Sequence, residues 1–134
     1  MSLDPEERKS IVTLEFDKAS KTYAMIPTLA NNGMWDIVAN RLYYSLFHAI
    51  LALLVNDGHK TSTHGGLIAI FGLHYVKTGI FSVEDGKTLS RLESLREEAD
   101  YNCAFSTSKE DIEPYIDKVG QLLKSIEAKL TILK

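Results

Sequence analysis

Apolar residues recur at alternating spacings of three and four along most of the chain, which is the period of an α-helix. The first such stripe consists of Val12, Phe16, Ala19, Tyr23, Ile26 and Ala30. Ahead of it, Asp4 is placed to act as N-cap, Pro5 suits the first helical position, and Glu7 can complete a capping box. The pattern predicts a first helix from about residue 5 to residue 29, with its last turn kinked or frayed at Pro27.

The next helix is predicted from about Met34 to Asn56 and is apolar around nearly its whole circumference. A helix of this kind sits in the middle of a domain. The turn Asn56-Asp57-Gly58 is expected to end it.

Two shorter stretches of the chain predict the next two helices. A third helix is predicted from Thr63 to Gly79, although three glycines inside it weaken the pattern. A fourth is predicted from Ser82 to near Asn102, with its buried face marked by leucines at positions 89, 92 and 95.

A fifth helix carries a heptad-like seam, and Pro114 implies that it begins late or is bent in its first turns. The seam residues are Ile112, Ile116, Val119, Leu123, Ile126, Leu130 and Leu133. No segment shows the alternation of a strand. We therefore predict an all-α, up-and-down bundle of about five helices, forming a single domain over residues 1–134.

Composition narrows the function classes. The 134 residues are 45% hydrophobic, as in ordinary globular proteins, and carry a net charge of −3. The overall charge therefore does not indicate binding to nucleic acid or to an anionic membrane. Cys103 is the only cysteine, so an internal disulfide is excluded and a buried structural thiol is expected. The longest apolar run, Ala49 to Val55, is far shorter than the roughly 20 residues of a membrane span. With no secretory signal at the N-terminus, we expect a cytoplasmic protein.

The first group of side chains that could carry a function lies on the second predicted helix. Arg41, Tyr44, Ser45 and His48 fall at i, i+3, i+4 and i+7, so one cation, two hydroxyls and one imidazole share a stripe. This stripe could bind phosphate or a nucleotide, since a guanidinium offers a planar fork for phosphate. It could equally be an internal polar network that ties helices together.

A second cluster lies near the end of the fourth helix, where Arg96 and Asp100 are four residues apart and can pair. His64, just inside the third helix, could lie near an anion or be an exposed loop histidine. The histidines at 59, 64 and 74 lack the spacing of metal ligands, so no metal site and no cofactor are predicted.

Four segments carry motifs in a fixed order: residues 39–49 (Ala-Asn-Arg-Leu-Tyr-Tyr-Ser-Leu-Phe-His-Ala), residues 60–66 (Lys-Thr-Ser-Thr-His-Gly-Gly), residues 76–79 (Val-Lys-Thr-Gly) and residues 96–101 (Arg-Glu-Glu-Ala-Asp-Tyr). Together they resemble the HEPN domain, in its small prokaryotic branch. The resemblance implies a helical bundle that commonly forms a homodimer and is often encoded beside a minimal nucleotidyltransferase as a toxin–antitoxin pair.

In the active HEPN ribonucleases, an Arg is followed after four to six residues by a His on a late helix, and the two act on RNA without metal. At the matching place this sequence has Arg96 but reaches Asp100 and Tyr101 without a histidine. Asp could accept a proton but cannot supply positive charge to the reacting phosphate.

Three hypotheses follow. The leading one is a HEPN protein without strong catalysis that binds a nucleotide, an RNA phosphate or a nucleotidyltransferase partner. Binding would occur in a dimer cleft lined by Arg41, Tyr44, His48, Arg96, Asp100 and Tyr101, with His64 a further ligand-binding candidate. The second is a metal-independent endoribonuclease toxin, using Arg41 and His48 or Arg96 and Asp100. The third is an interaction module whose C-terminal seam packs against a partner. The leading hypothesis predicts that Arg41, Tyr44 and His48 point toward the fourth helix and meet Arg96, Asp100 or Tyr101.

Overall fold

Six α-helices account for most of residues 3–102 and 106–134, which are described by a computed structural model. They are α1 Pro5–Ala24, α2 Ile26–Asn31, α3 Trp35–Asn56, α4 His64–Phe71, α5 Val83–Tyr101 and α6 Lys109–Ala128. No strand occurs in the described part of the chain. The predicted all-α bundle is confirmed, and Cys103 lies outside the described residues.

The first predicted helix is divided in two. The capping box at its start is present, because Glu7 N–H donates to Asp4 at 2.8 Å and Asp4 N–H donates to Glu7 at 3.3 Å. The helix stops at Ala24, five residues before the predicted end, and α2 begins after Met25. Pro27 explains the break, since it has no N–H to continue the hydrogen-bond ladder of α1.

The central element is α3, which packs against α1 on one side and against α5 and α6 on the others. Eleven of its 22 residues are buried, among them Leu42, Leu46 and Leu53. By length and composition α3 could cross a membrane, but 61% of its apolar window is buried inside the protein. That burial is typical of the core helix of a bundle.

The third predicted helix begins where expected and changes its winding before it ends. Thr63 caps α4 by accepting from Gly66 N–H at 2.9 Å, and a π-helical turn, Gly72–Val76, follows α4 directly. Gly79 then ends the segment with a φ of +85°, a conformation that glycine adopts without strain.

The fourth predicted helix starts as predicted, whereas the fifth starts earlier than a late beginning at Pro114 would imply. Ser82 and Asp85 make a capping box for α5, and Ser108 caps α6. Pro114 lies inside α6, so the helix begins before this proline rather than after it.

The C-terminal seam packs inside the chain. Val119, Leu123 and Ile126 are buried, and α6 packs mainly against α3. The hypothesis that this seam is a docking surface for a partner is therefore wrong, because its apolar side chains already contribute to the core.

Candidate functional site

Arg96 is the centre of a buried ion network on α5. Its Nη2 donates to Glu93 Oε1 at 2.7 Å, and its Nη1 donates to Asp100 Oδ2 at 3.1 Å. Glu97 Oε1 lies 3.9 Å from Nη2. These partners stand three before, four after and one after Arg96 on the same helix, and the arginine is only 8% exposed. The charge of Arg96 is thus compensated by carboxylates.

Beneath this network lie two tyrosines of α3. The guanidinium carbon of Arg96 is 5.3 Å from the ring centroid of Tyr43 and 5.9 Å from that of Tyr44. Cation–π contacts of this length gain strength when they are removed from water, as here. They join α5 to α3 at the middle of the bundle.

The electrostatics keep the network ionised. Burial raises the pKa of Glu93, but the neighbouring Tyr43 hydroxyl and Arg96 guanidinium outweigh it and hold that pKa below its usual value. Burial would lower the pKa of Arg96, and Glu93 and Asp100 raise it instead. Burial, followed by the nearby Glu93, raises the pKa of Tyr43, so this hydroxyl stays protonated.

Two polar atoms of the network have no hydrogen-bond partner among the described residues. They are Glu93 Oε2 and Arg96 Nε, and both are buried. A buried polar atom left unpaired costs stability. The pair therefore keeps an electrostatic cost that a packed apolar pair would not carry.

His64 joins the same cluster from the first turn of α4. Its Nδ1 lies 2.6 Å from the Tyr43 hydroxyl, and its ring centroid is 4.5 Å from that of Phe47. The ring of Tyr44 is 6.0 Å away. The N-cap Thr63 starts α4 at this point and thereby places the imidazole against the aromatic residues of α3.

Arg41 differs from Arg96 in having no counter-charge. Its Nε and Nη2 both donate to Asn40 Oδ1, at 3.0 and 2.7 Å, and its guanidinium carbon lies 5.7 Å from the Tyr44 centroid. Among the described residues no carboxylate is within ion-pair distance of it. Arg41 is partly exposed, so this cation is available to an anion from solution.

The predicted stripe on α3 faces two different neighbours. Tyr44 meets Arg96, as predicted. His48 does not: its Nδ1 lies 2.7 Å from Glu15 Oε2, on α1. Ser45 is fully buried and donates to Leu42 O at 2.9 Å, which is a structural role.

The predicted shared cleft is therefore corrected in part. Arg41 reaches the Arg96 cluster only through the ring of Tyr44, His48 faces α1, and Tyr101 is 83% exposed at the end of α5. A stripe of four residues is wide enough to touch two helices, so spacing alone did not determine which neighbour each side chain would meet.

The sequence-based candidates lacked four members of the site. Three of them, Asn40, Tyr43 and Phe47, enter the sequence analysis only as part of the motif over residues 39–49. The fourth, Glu93, could have been predicted from the sequence, because it stands three residues before Arg96 and can pair with it on one face of the helix.

Within the described part of the chain, no group of three or more His, Cys, Asp or Glu side chains could hold a metal ion. The chemistry available is that of a partly exposed guanidinium, two aromatic rings and an imidazole. These groups suit a phosphate and the ribose or base attached to it.

Comparisons with known proteins identify the family of the chain. The sequence model of the HEPN domain matches residues 14–129. A "UPF0332 protein" of Thermotoga maritima is 30% identical over 128 residues, which are 96% of this chain and 97% of that protein. A protein of Methanocaldococcus jannaschii named "Putative toxin MJ0605" is 28% identical over 130 aligned positions, and the match covers 92% of this chain and 96% of that protein.

We predict that Arg96→Ala lowers the free energy of unfolding by about 3 kcal/mol, because it leaves the buried carboxylate of Glu93 without its cation. Urea denaturation measures this change. Arg91→Ala is the matched control: Arg91 is exposed on the same helix, and its loss should change stability by no more than about 0.5 kcal/mol.

Replacing both buried partners provides a second control. The double variant Glu93→Met/Arg96→Met should recover to within about 1 kcal/mol of the natural protein, since it leaves no buried charge unpaired and the side chain of Asp100 is 42% exposed to water. If Arg96→Ala were as stable as Arg91→Ala, the ion network would not hold the bundle together.

Proposed function

The chain belongs to the HEPN domain family, and from this premise we propose that it is the toxin-type member of a toxin–antitoxin pair and binds the phosphate of a nucleotide or of RNA through Arg41. The observation that supports the binding role is the uncompensated charge of Arg41 beside the ring of Tyr44. The toxin role rests on the names of the Methanocaldococcus jannaschii relatives.

Arg41 is the better phosphate ligand of the two cluster arginines. Arg96 already donates to Glu93 and Asp100, so an incoming phosphate would have to displace a carboxylate and would meet its repulsion. Arg41 donates only to the neutral side-chain amide of Asn40. A phosphate can accept hydrogen bonds from this guanidinium without breaking an ion pair.

The surroundings of Arg41 suit the rest of a nucleotide. Tyr44 and Phe47 are partly exposed aromatic residues three residues apart on α3, and their ring centroids are 6.2 Å from each other. Aromatic faces of this kind accept bases by stacking, with little preference for sequence.

We predict that Arg41→Ala weakens the binding of a labelled ribonucleotide or short RNA about tenfold, through loss of a charge-assisted hydrogen bond. Fluorescence anisotropy measures the affinity. Arg91→Ala removes the same side chain from an exposed position on α5 and should leave binding unchanged. Equal affinities for the natural protein and Arg41→Ala would refute the role of Arg41.

A metal-independent ribonuclease is the second candidate, and the position of His64 favours it. Asp100 is engaged by Arg96, and Asp cannot replace the missing cationic acid. His64 brings an imidazole to the same cluster from α4, where Nδ1 meets Tyr43 and the ring borders Tyr44. His48 is engaged by Glu15 instead.

If the protein cleaves RNA, cleavage should persist in the presence of a chelator and fall at least a hundredfold in His64→Ala, because general acid–base catalysis contributes on that order. A His48→Ala variant is the control that separates the two imidazoles. Cleavage that survives His64→Ala and is lost in His48→Ala would assign the chemistry to the other histidine.

The partner in the proposed pair is a nucleotidyltransferase-type protein, as the family resemblance implies. Glu97, Glu98 and Tyr101 line a surface depression of about 420 Å³ at the exposed end of α5. This acidic surface with one exposed aromatic ring suits a partner with basic groups.

Partner binding at this surface predicts a charge effect. Glu97→Lys/Glu98→Lys should weaken a complex with the protein encoded beside this one, because two attractive charges become repulsive. Isothermal titration of the purified pair measures the affinity, and Glu110→Lys/Glu113→Lys on the exposed face of α6 is the control. Equal weakening by both double variants would show a general charge effect without a specific surface.

A further inference from the structure

The Tyr43 hydroxyl has two acceptors beside it and one proton to donate. Its oxygen lies 2.6 Å from Nδ1 of His64, the first residue of α4. It also neighbours Glu93 of α5: burial raises the pKa of Glu93, and the Tyr43 hydroxyl and the Arg96 guanidinium outweigh this effect. The hydroxyl can therefore donate to the imidazole or to the carboxylate, but not to both.

The buried carboxylate decides which acceptor is favoured. Glu93 Oε1 accepts from Arg96, whereas Oε2 is buried and has no hydrogen-bond partner among the described residues. A hydrogen bond to an ionised carboxylate is roughly twice as strong as a neutral one, and a buried acceptor without a donor costs stability. The proton of Tyr43 is therefore better directed to Glu93 than to His64.

The imidazole, unlike the carboxylate, can supply a proton of its own. When the proton of Tyr43 is directed to Glu93, the Tyr43 oxygen can accept from Nδ1–H of His64 at the observed distance of 2.6 Å. This arrangement gives both neighbours of the hydroxyl a partner. In a neutral imidazole with its proton on Nδ1, Nε2 keeps a free lone pair.

The aromatic residues of α3 hold the imidazole in one orientation. The centroid of the His64 ring lies 4.5 Å from that of Phe47, with 31° between the ring planes, and 6.0 Å from that of Tyr44, which meets it edge-on. His64 is partly exposed. Its Nε2 has no partner among the described residues and is not one of their buried unpaired atoms, so a molecule from solution can reach it.

We propose that Tyr43 and Glu93 are positioning residues that hold His64 with its proton on Nδ1, so that Nε2 can accept the proton of an incoming hydroxyl group. This role of His64 rests on the second proposed function, the ribonuclease, and adds to it the nitrogen that acts and the residues that position it. In that reaction a ribose 2′-oxygen bonds to the adjacent phosphorus and its proton passes to Nε2. The P–O5′ bond breaks, and the leaving oxygen takes a proton from water.

The nitrogen that carries the proton can be read directly from two-bond ¹H–¹⁵N correlations of the imidazole rings, recorded at about pH 8.5, where histidine is neutral. His64 should show a protonated Nδ1 and an unprotonated Nε2. A proton on Nε2 would overturn the proposal, because Tyr43 would then donate to His64 and not to Glu93.

Two other histidines of the chain are internal references for this measurement. His48 represents the Nδ1–H form, since its Nδ1 lies 2.7 Å from the carboxylate of Glu15, which can only accept. His74 is exposed, and its ring has no hydrogen bond among the described residues. It represents the Nε2–H form that an unrestrained imidazole prefers.

Three variants separate the contributions of the neighbours. Tyr43→Phe keeps the ring and removes the hydroxyl, so His64 should change mainly to the Nε2–H form. Glu93→Gln should shift it in the same direction, because an amide is a weaker acceptor than a carboxylate. Glu97→Gln is the matched control, an exposed carboxylate on the same helix, and should leave His64 as in the natural protein. An unchanged His64 in Tyr43→Phe would exclude Tyr43 from the role, and thermal melting checks that each variant is folded.

RNA cleavage distinguishes this arrangement from the function that it serves. In a protein that cleaves RNA, Tyr43→Phe should lower kcat about tenfold and leave KM unchanged, since it removes one positioning hydrogen bond away from the substrate. An effect on KM alone would show that the hydroxyl contacts RNA, which contradicts a positioning role. If His64 carries its proton on Nδ1 and no RNA is cleaved, the ribonuclease function fails while the arrangement set by Tyr43 and Glu93 stands.

Discussion

The buried guanidinium of Arg96 is the contact on which the site depends. It lies over Tyr43 and Tyr44 of α3 while Glu93 and Asp100 of its own helix hold its charge. Because the Tyr43 hydroxyl in turn meets His64, the same contact sets where the start of α4 lies. Three helices are thus joined by one charged group, and the ring of Tyr44 is held where Arg41 can lie against it.

Arg96 and Arg41 consequently have different roles. Arg96 is inside, compensated and at the position where the resemblance places the ribonuclease arginine. Arg41 is at the surface and uncompensated. A cation that is already paired within the protein gains little from a phosphate, whereas an unpaired one at the surface attracts anions. This difference is why the proposed binding surface begins on α3 rather than on α5.

Much of the fold could be predicted from the sequence, because helix starts depend on local chemistry. Asp4, Thr63 and Ser82 each cap the helix that was predicted to follow them. The division after Ala24 was harder to predict, since a proline can kink a helix or end it, and the packing around it decides which.

The site could be predicted only as a set of candidates. Spacing showed that Arg41, Tyr44 and His48 share a face, but the approach of α1 and α5 from different directions assigned His48 to Glu15 and Tyr44 to Arg96. The ion pair of Arg96 and Asp100 was visible from sequence. Its burial, and the rings beneath it, depend on long-range packing that no local pattern reports.

The central claim is that Arg41, and not Arg96, receives the phosphate. The chain has four arginines, at positions 8, 41, 91 and 96, so the side-chain Nε–Hε resonances can be followed individually by ¹⁵N NMR while single-stranded RNA is added. The account predicts that the resonance of Arg41 shifts and that those of Arg91 and Arg96 stay in place. A shift of Arg96 with no change at Arg41 would contradict it.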